Sequence, residues 1–341
     1  MKLFFRLAIR AIFLLVVAAL LLAGGVLAWF GSWRADCLSR LQAASTLADT
    51  PAGKVEFVQS GDGPAVLVFH AAPGGFDQAM LFGSALVEAG FQVIAPSRPG
   101  YLRTPLATGM TPEKQADAMA ALLDSLSIGS VAVVGVSSGA PAAVEFARRY
   151  PGRAWAMVLI SPVTKRLAWQ VTDVPLPLAV NVLMTGDVGS WLLGEVAERD
   201  PAKALGGAFD LAQIGDPAAR EEWVRTVLER PSQVAWFRDL VSTLAPISAR
   251  ETGLRNDLLQ LRALAAIRYE DLALPVLLIH GTEDKWIPVA DVQEVAKRLP
   301  QATLLVIPGT GHIVPLGPAS DDLNAGVLKF LSRLHAGHGA P

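Results

Sequence analysis

Val131-Ala-Val-Val-Gly135-Val-Ser137-Ser138-Gly139-Ala140 is the stretch that decides how this chain is read. Its apolar start has strand character and feeds straight into G-x-S-x-G. The following segment, Ala140 to Tyr150, suits a helix, with Pro141 in the first turn, where a missing N–H costs little. Glycine two residues to either side of a serine is what a sharp strand-to-helix turn needs, because bulkier neighbours would clash there. Such a turn leaves the serine hydroxyl exposed, so Ser137 is the candidate nucleophile.

A serine nucleophile needs a base to take its proton and an acid to orient that base. The chain offers five histidines. His335 and His338 belong to a Gly-rich tail too poor in apolar residues to be held in place, so they are read as solvent groups. His280 closes the run Pro275-Val-Leu-Leu-Ile-His280 and is expected to support a turn. His312 lies in Gly309-Thr-Gly-His312-Ile-Val-Pro315, a glycine-rich loop after the strand-like Ala302 to Pro308, where a side chain can reach into a cleft. It is the candidate base. The loop Gly281-Thr-Glu283-Asp284-Lys-Trp-Ile-Pro288 follows the preceding strand and supplies the acid: Asp284, with Glu283 in reserve. A lone carboxylate there would be read as a turn former. The order Ser137, Asp284, His312 gives it a different reading.

From about Val55 to about Leu334 the chain resembles the α/β-hydrolase fold superfamily. Five segments carry the resemblance in order: His70-Ala-Ala-Pro-Gly-Gly75, Ser97-Arg-Pro-Gly-Tyr101, the turn at Ser137, His280-Gly-Thr-Glu-Asp284, and Gly311-His312. The resemblance implies an oxyanion hole built from the backbone N–H groups of Ala72 and Ser138. Attack on an acyl carbon places negative charge on its oxygen, and preorganised donors in a dry site stabilise it. The positive end of the helix after Ser137 adds to that field. His70 in such loops is structural, and Arg98 and Tyr101 are expected to shape a loop near the site. Position 71 departs from the family, being Ala where Gly is usual; the added methyl is expected to be tolerated, since Pro73, Gly74 and Gly75 still allow a tight turn. Relatives that hydrolyse epoxides or haloalkanes use an aspartate where Ser137 stands, so acyl chemistry is favoured.

Outside the turn, strand-like and helix-like segments alternate, as in a mostly parallel sheet with helices on both faces. Expected strands are 65–69, 92–95, 131–134, 156–160, 276–279 and 303–307; expected helices are 78–89, 111–126, 138–150, 289–299 and 320–334. The motif residues then fall at strand ends, where ligands collect in open α/β sheets. Between Pro162 and about Tyr269 the alternation gives way to a helical stretch rich in Trp, Leu and Ala. At that place α/β hydrolases commonly carry a cap. Its aromatic residues Trp169, Trp191, Phe209, Trp223, Trp236 and Phe237 are expected mostly to form the cap's own core, with some facing the substrate.

Residues 11–30 carry no charge and match the roughly 20 residues of a membrane-spanning helix. Trp29, Phe30 and Trp33 suit an interfacial belt. Lys2, Arg6 and Arg10 precede the span, and the positive-inside bias favours an N-terminus in the cytoplasm with the following domain outside, which is the periplasm if the source is Gram-negative. A cleaved signal peptide is the competing reading, but the apolar run is long and no small-x-small site closes it. The expected organisation is an anchor (1–34), a linker (35–52), a first core part (53–162), a helical cap (163–269), a second core part (270–335) and a tail (336–341). Cys37 has no partner for an intrachain disulfide. With 29 basic against 31 acidic residues and no basic run beyond the N-terminal flank, nucleic acid is not an expected partner. The chemistry needs neither metal nor organic cofactor.

The expected function is a membrane-anchored serine hydrolase that cleaves a carboxylic ester of an apolar or lipid-like small molecule through an acyl-enzyme. Two alternatives stay open. His70 to Gly75 also resembles the proline iminopeptidases, although Gly135-Val-Ser-Ser-Gly139 lacks their Gly-Gly-Ser-Trp-Gly form. The other is a low-turnover ligand-sensing scaffold with this fold.

Overall fold

Every residue of Val131–Val136 is buried, as a strand covered on both faces requires. The computed structural model describes residues 2–167, 186–318 and 320–337. Its strands are β1 (Thr46–Thr50), β2 (Gly53–Ser60), β3 (Ala65–Phe69), β4 (Gln92–Pro96), β5 (Val131–Val136), β6 (Ala154–Ile160), β7 (Val276–Gly281) and β8 (Ala302–Ile307). They form one sheet in the order β1-β2-β4-β3-β5-β6-β7-β8. β1 pairs antiparallel with β2, and β2 antiparallel with β4. From β4 to β8 every pairing is parallel.

The helices are α1 (Lys2–Ala44), α2 (Phe76–Glu88), α3 (Pro112–Ser125), α4 (Ala140–Arg149), α5 (Asp187–Arg199), α6 (Pro201–Ala212), α7 (Pro217–Leu228), α8 (Pro231–Ser242), α9 (Glu251–Ala263), α10 (Val289–Arg298) and α11 (Ser320–Gly337). The two-residue period of the strands sorts the core into two layers. Leu67, Phe69, Val131, Val133, Met157 and Leu159 pack with α3, α4 and α10. Val66, Val68, Ala132, Val134, Ala156 and Val158 pack with α2 and α11. α3 begins as its sequence dictates, with the Thr111 hydroxyl accepting from the Lys114 N–H and proline in the first turn. In the cap, α6 and α7 repeat the device with Asp-Pro pairs: Asp200 accepts from the Lys203 N–H and Asp216 from the Ala219 N–H.

Two departures from expectation stand at the N-terminal side. The helix of the expected anchor does not end at residue 34 but runs to Ala44. Residues 35–52, expected to be a linker, hold the end of that helix and then β1. The hairpin closes at Pro51-Ala-Gly53, where Gly53 adopts φ +123° and the Thr50 hydroxyl donates to the Gly53 carbonyl at 2.7 Å. Neither β1 nor β2 is among the expected strands: β1 is a short, largely exposed edge strand with no apolar face to alternate, and in β2 the charged Glu56 stands between the buried Val55 and Phe57. α1 is long and apolar enough to cross a membrane from Phe13 onward. Within it the Phe30 and Trp33 rings stack with centroids 5.3 Å apart.

The cap helices share a core of their own, containing Leu205, Phe209, Trp223, Val227, Phe237 and Val241. Phe209 and Trp223 lie 5.7 Å apart there, and Trp236 meets Phe82 of α2 edge-on at 5.5 Å. Of the aromatic residues expected mostly to form the cap's own core, Phe209, Trp223 and Phe237 do so, because a layer of short helices must bury its own apolar stripe to hold together. Trp169 lies outside the described residues, as does His338. His335 is exposed, with Trp155 6.1 Å away.

Candidate active site

The turn after β5 is as sharp as its glycines require. Val136 is extended, and Ser137 then takes φ +47°, a left-handed conformation costly for a residue with a side chain. A Cβ at Gly135 would come within 2.8 Å of the Ala143 Cβ. One at Gly139 would come within 2.5 Å of the Phe69 and His70 carbonyl oxygens. Both glycines are therefore required by space, and the second brings the loop after β3, which carries Ala72, directly against the turn.

The structure brings Ser137, His312 and Asp284 together from the ends of β5, β8 and β7. The Ser137 Oγ lies 2.8 Å from His312 Nε2, and His312 Nδ1 lies 2.7 Å from Asp284 Oδ2. A carboxylate only accepts, so Nδ1 carries the proton and Nε2 faces the serine hydroxyl as an acceptor. Asp284 is buried, and its Oδ1 accepts from the N–H groups of Trp286 at 2.8 Å and Ile287 at 2.9 Å. Burial alone would raise the Asp284 carboxyl. The charge and hydrogen bond of His312, with the Ile287 N–H, outweigh it and hold the group below the usual carboxylate range. Glu283, the reserve acid, accepts from the Thr282 hydroxyl at 3.1 Å and takes no part in this chain of bonds.

His280 supports the turn, as expected: its Nε2 donates to the Ile287 carbonyl at 2.8 Å and lies 3.3 Å from Asp284 Oδ2. His70 donates from Nδ1 to the Ala71 carbonyl at 2.7 Å and accepts the Arg98 N–H at Nε2 at 2.9 Å. The methyl of Ala71 packs against the core layer shared with α2 and α11. Burial first, with the Arg98 charge second, depresses His70 well below the ordinary histidine value, and burial likewise depresses His280. Unfolded histidines bind protons below about 6.5, and these two stay neutral in the fold, so the unfolded state takes up more protons as pH falls through that value. Stability is fully present above about pH 7 and is expected to decline progressively below 6.5. Thermal unfolding midpoints measured from pH 7.5 to 5 check this, and a flat profile would contradict neutral burial of the pair.

Several residues that the sequence did not single out hold the site. The Trp286 ring packs on the His312 ring with centroids 4.7 Å apart. The Ser161 hydroxyl donates to the His312 carbonyl at 2.8 Å, while the His312 N–H donates to the Ala212 carbonyl at the end of α6 at 3.0 Å. Gln213 donates from its side chain to the Gly309 carbonyl and accepts from the Gly311 N–H, and its backbone pairs with Asp284. The cap thus grips both the acid loop and the histidine loop. Nothing in the sequence marks Gln213, a single amide at a helix end. On the other side, Arg250 of the cap donates to the Gly74 carbonyl at 2.8 Å and pairs with Asp77 at 2.6 Å, holding the loop after β3.

Residues 64–317 match the family described as alpha/beta hydrolase fold. The chain is similar to "Uncharacterized hydrolase YcgS" of Bacillus subtilis (strain 168), with 26% identity over 82% of this chain and 95% of that protein. It is 31% identical to "Pimeloyl-[acyl-carrier protein] methyl ester esterase" of Aromatoleum aromaticum, over 66% of this chain and 82% of the relative. Among solved structures it is similar to "Alpha/beta hydrolase fold protein from Nakamurella multipartita", with a TM-score of 0.78 and 26% identity, covering 84% of this chain and 98% of that one.

Proposed function

The chain belongs to the alpha/beta hydrolase fold family and is a hydrolase, and from that premise we propose that it is a serine hydrolase that cleaves a carboxylic ester of an apolar small molecule through an acyl-enzyme. The observation that carries this reading is the hydrogen-bonded chain Ser137 Oγ, His312, Asp284. His312 Nε2 takes the hydroxyl proton as the Ser137 oxygen attacks the acyl carbon. The resulting imidazolium sits against the ionised Asp284, and the oxyanion is met by the backbone N–H groups of Ala72 and Ser138. Collapse breaks the acyl–oxygen bond, with the proton passing from Nε2 to the leaving alcohol. Water then attacks the acyl-enzyme by the same route in reverse, releasing the acid and restoring Ser137.

An ester is favoured because the relative of Aromatoleum aromaticum is named as a methyl ester esterase. An apolar acyl group suits the Trp286 ring beside His312 and the apolar helical cap, which we assign to residues 163–269 between the two core parts. α1 would anchor the enzyme through residues 11–30, with Lys2, Arg6 and Arg10 on the cytoplasmic side and the catalytic domain on the other.

A fluorophosphonate probe is expected to label the wild-type protein and not Ser137→Ala, and p-nitrophenyl esters are expected to be turned over with kcat/KM rising beyond the acetate. A folded wild type that takes no label, or that cleaves proline amides in preference to every ester, would overturn the proposal.

A further inference from the structure

Arg98, on the loop after β4, is buried and spends all five of its N–H donors inside the protein. Nε donates to the His70 carbonyl at 2.9 Å. Nη1 donates to Gln115 Oε1 at 3.1 Å and to Asp257 Oδ1 at 2.9 Å. Nη2 donates to Asp257 Oδ2 at 2.5 Å and to the Ser138 hydroxyl at 3.1 Å. The same Asp257 oxygen also accepts from the Tyr101 hydroxyl at 2.7 Å and from the Ser138 hydroxyl at 3.1 Å. Asp257 is buried too, and it belongs to α9 of the cap.

This arrangement is richer than an ion pair that fastens two layers. The Arg98 guanidinium is planar and rigid, so fixing it from one edge fixes where its other donors point. Two of those donors end on the two segments expected to supply the oxyanion hole. The His70 carbonyl is two residues before Ala72, and the Arg98 backbone N–H holds the His70 ring in the same loop. The Ser138 hydroxyl belongs to the residue whose backbone N–H is the second donor. Asp257 sets the guanidinium from the cap side with a bidentate grip and binds Ser138 directly as well.

We propose that Asp257, carried by the cap, is a positioning residue for the oxyanion hole: through Arg98 and the Ser138 hydroxyl it sets the spacing of the Ala72 and Ser138 N–H groups. The cap then does more than cover the substrate. It completes the part of the site that stabilises the transition state, so a cap that lifts away slackens the hole. This inference rests on the reading of Ala72 and Ser138 as oxyanion donors given above.

Asp257→Asn keeps the shape of the side chain and removes its charge. In the full-length protein it is expected to lower kcat for a p-nitrophenyl ester on the order of 10-fold to 100-fold, somewhat less than outright loss of an oxyanion donor costs. KM should stay within about 3-fold, since ground-state binding does not use the hole. Affinity for an alkyl trifluoromethyl ketone, whose serine adduct carries an oxyanion, should fall in parallel with kcat/KM. Affinity for the carboxylic acid product should not. A lowered unfolding temperature with unchanged kcat and unchanged ketone affinity would show that the pair only fastens the cap, and would overturn the proposal. So would a fall in kcat without loss of ketone affinity. If Asp257→Asn does not fold, Ser138→Ala decides. It removes one hydroxyl and keeps the backbone donor, and the same parallel loss of kcat and ketone affinity, on the order of 3-fold to 10-fold, is expected; no change there would overturn the proposal. Absence of fluorophosphonate labelling in the wild type would instead remove the reading on which the inference rests, and the inference with it.

Discussion

Ser137→Ala is expected to lower kcat on p-nitrophenyl esters on the order of 10⁴-fold to 10⁶-fold while the unfolding temperature stays within a few degrees of wild type. The loss is large because no other group can form the acyl bond: the variant leaves only the oxyanion donors and binding to assist direct attack by water. On the order of 10⁴-fold corresponds to about 5.5 kcal/mol of barrier. The fold is spared because the change removes one oxygen and leaves the Cβ in place, so the left-handed backbone at φ +47° and both flanking glycines are unaffected. Steady-state kinetics beside thermal unfolding checks both halves. Retention of more than about a hundredth of wild-type turnover in a folded Ser137→Ala would exclude Ser137 as the nucleophile.

The second large effect is expected from Asp284→Asn, which should cost about 10⁴-fold in kcat with little change in stability. The mechanism lies in the tautomer. Oδ1 of Asp284 accepts from the Trp286 and Ile287 N–H groups, so an asparagine must point its oxygen there and its NH2 group at His312 Nδ1. That imidazole nitrogen can then only accept, which moves the proton to Nε2, where it faces Ser137 and cannot receive the hydroxyl proton. Glu283→Gln tests the alternative acid. Because Glu283 bonds Thr282 and not His312, its variant should keep kcat within about 2-fold to 3-fold. The reverse ranking of the two variants would assign the acid role to Glu283.

Much of this site is readable along the chain. Ser137 is announced by a buried apolar strand running into paired glycines. His312 and Asp284 follow strands of the same character, and the chain order of the three fits one known arrangement. Helix starts such as Thr111-Pro are equally local, since the capping atoms are supplied within one turn. The same signal stood at Asp200-Pro and Asp216-Pro in the cap, where it marks the starts of α6 and α7.

The sequence by itself determined six of the eight described strands, the turn that presents Ser137, and the two residues proposed as its base and acid. Each of these rests on a period or a motif confined to a few neighbouring residues. Only the tertiary structure decided what holds them. Asp257 meets Ser138 across 119 positions and Arg98 across 159, Gln213 meets Gly311 across 98, and Trp286 settles on the ring of His312. A buried carboxylate or amide in a helix looks, along the chain, like any other polar residue. Its partner is chosen by how the cap packs on the core, and that packing is a property of three-dimensional geometry that no short-range pattern carries.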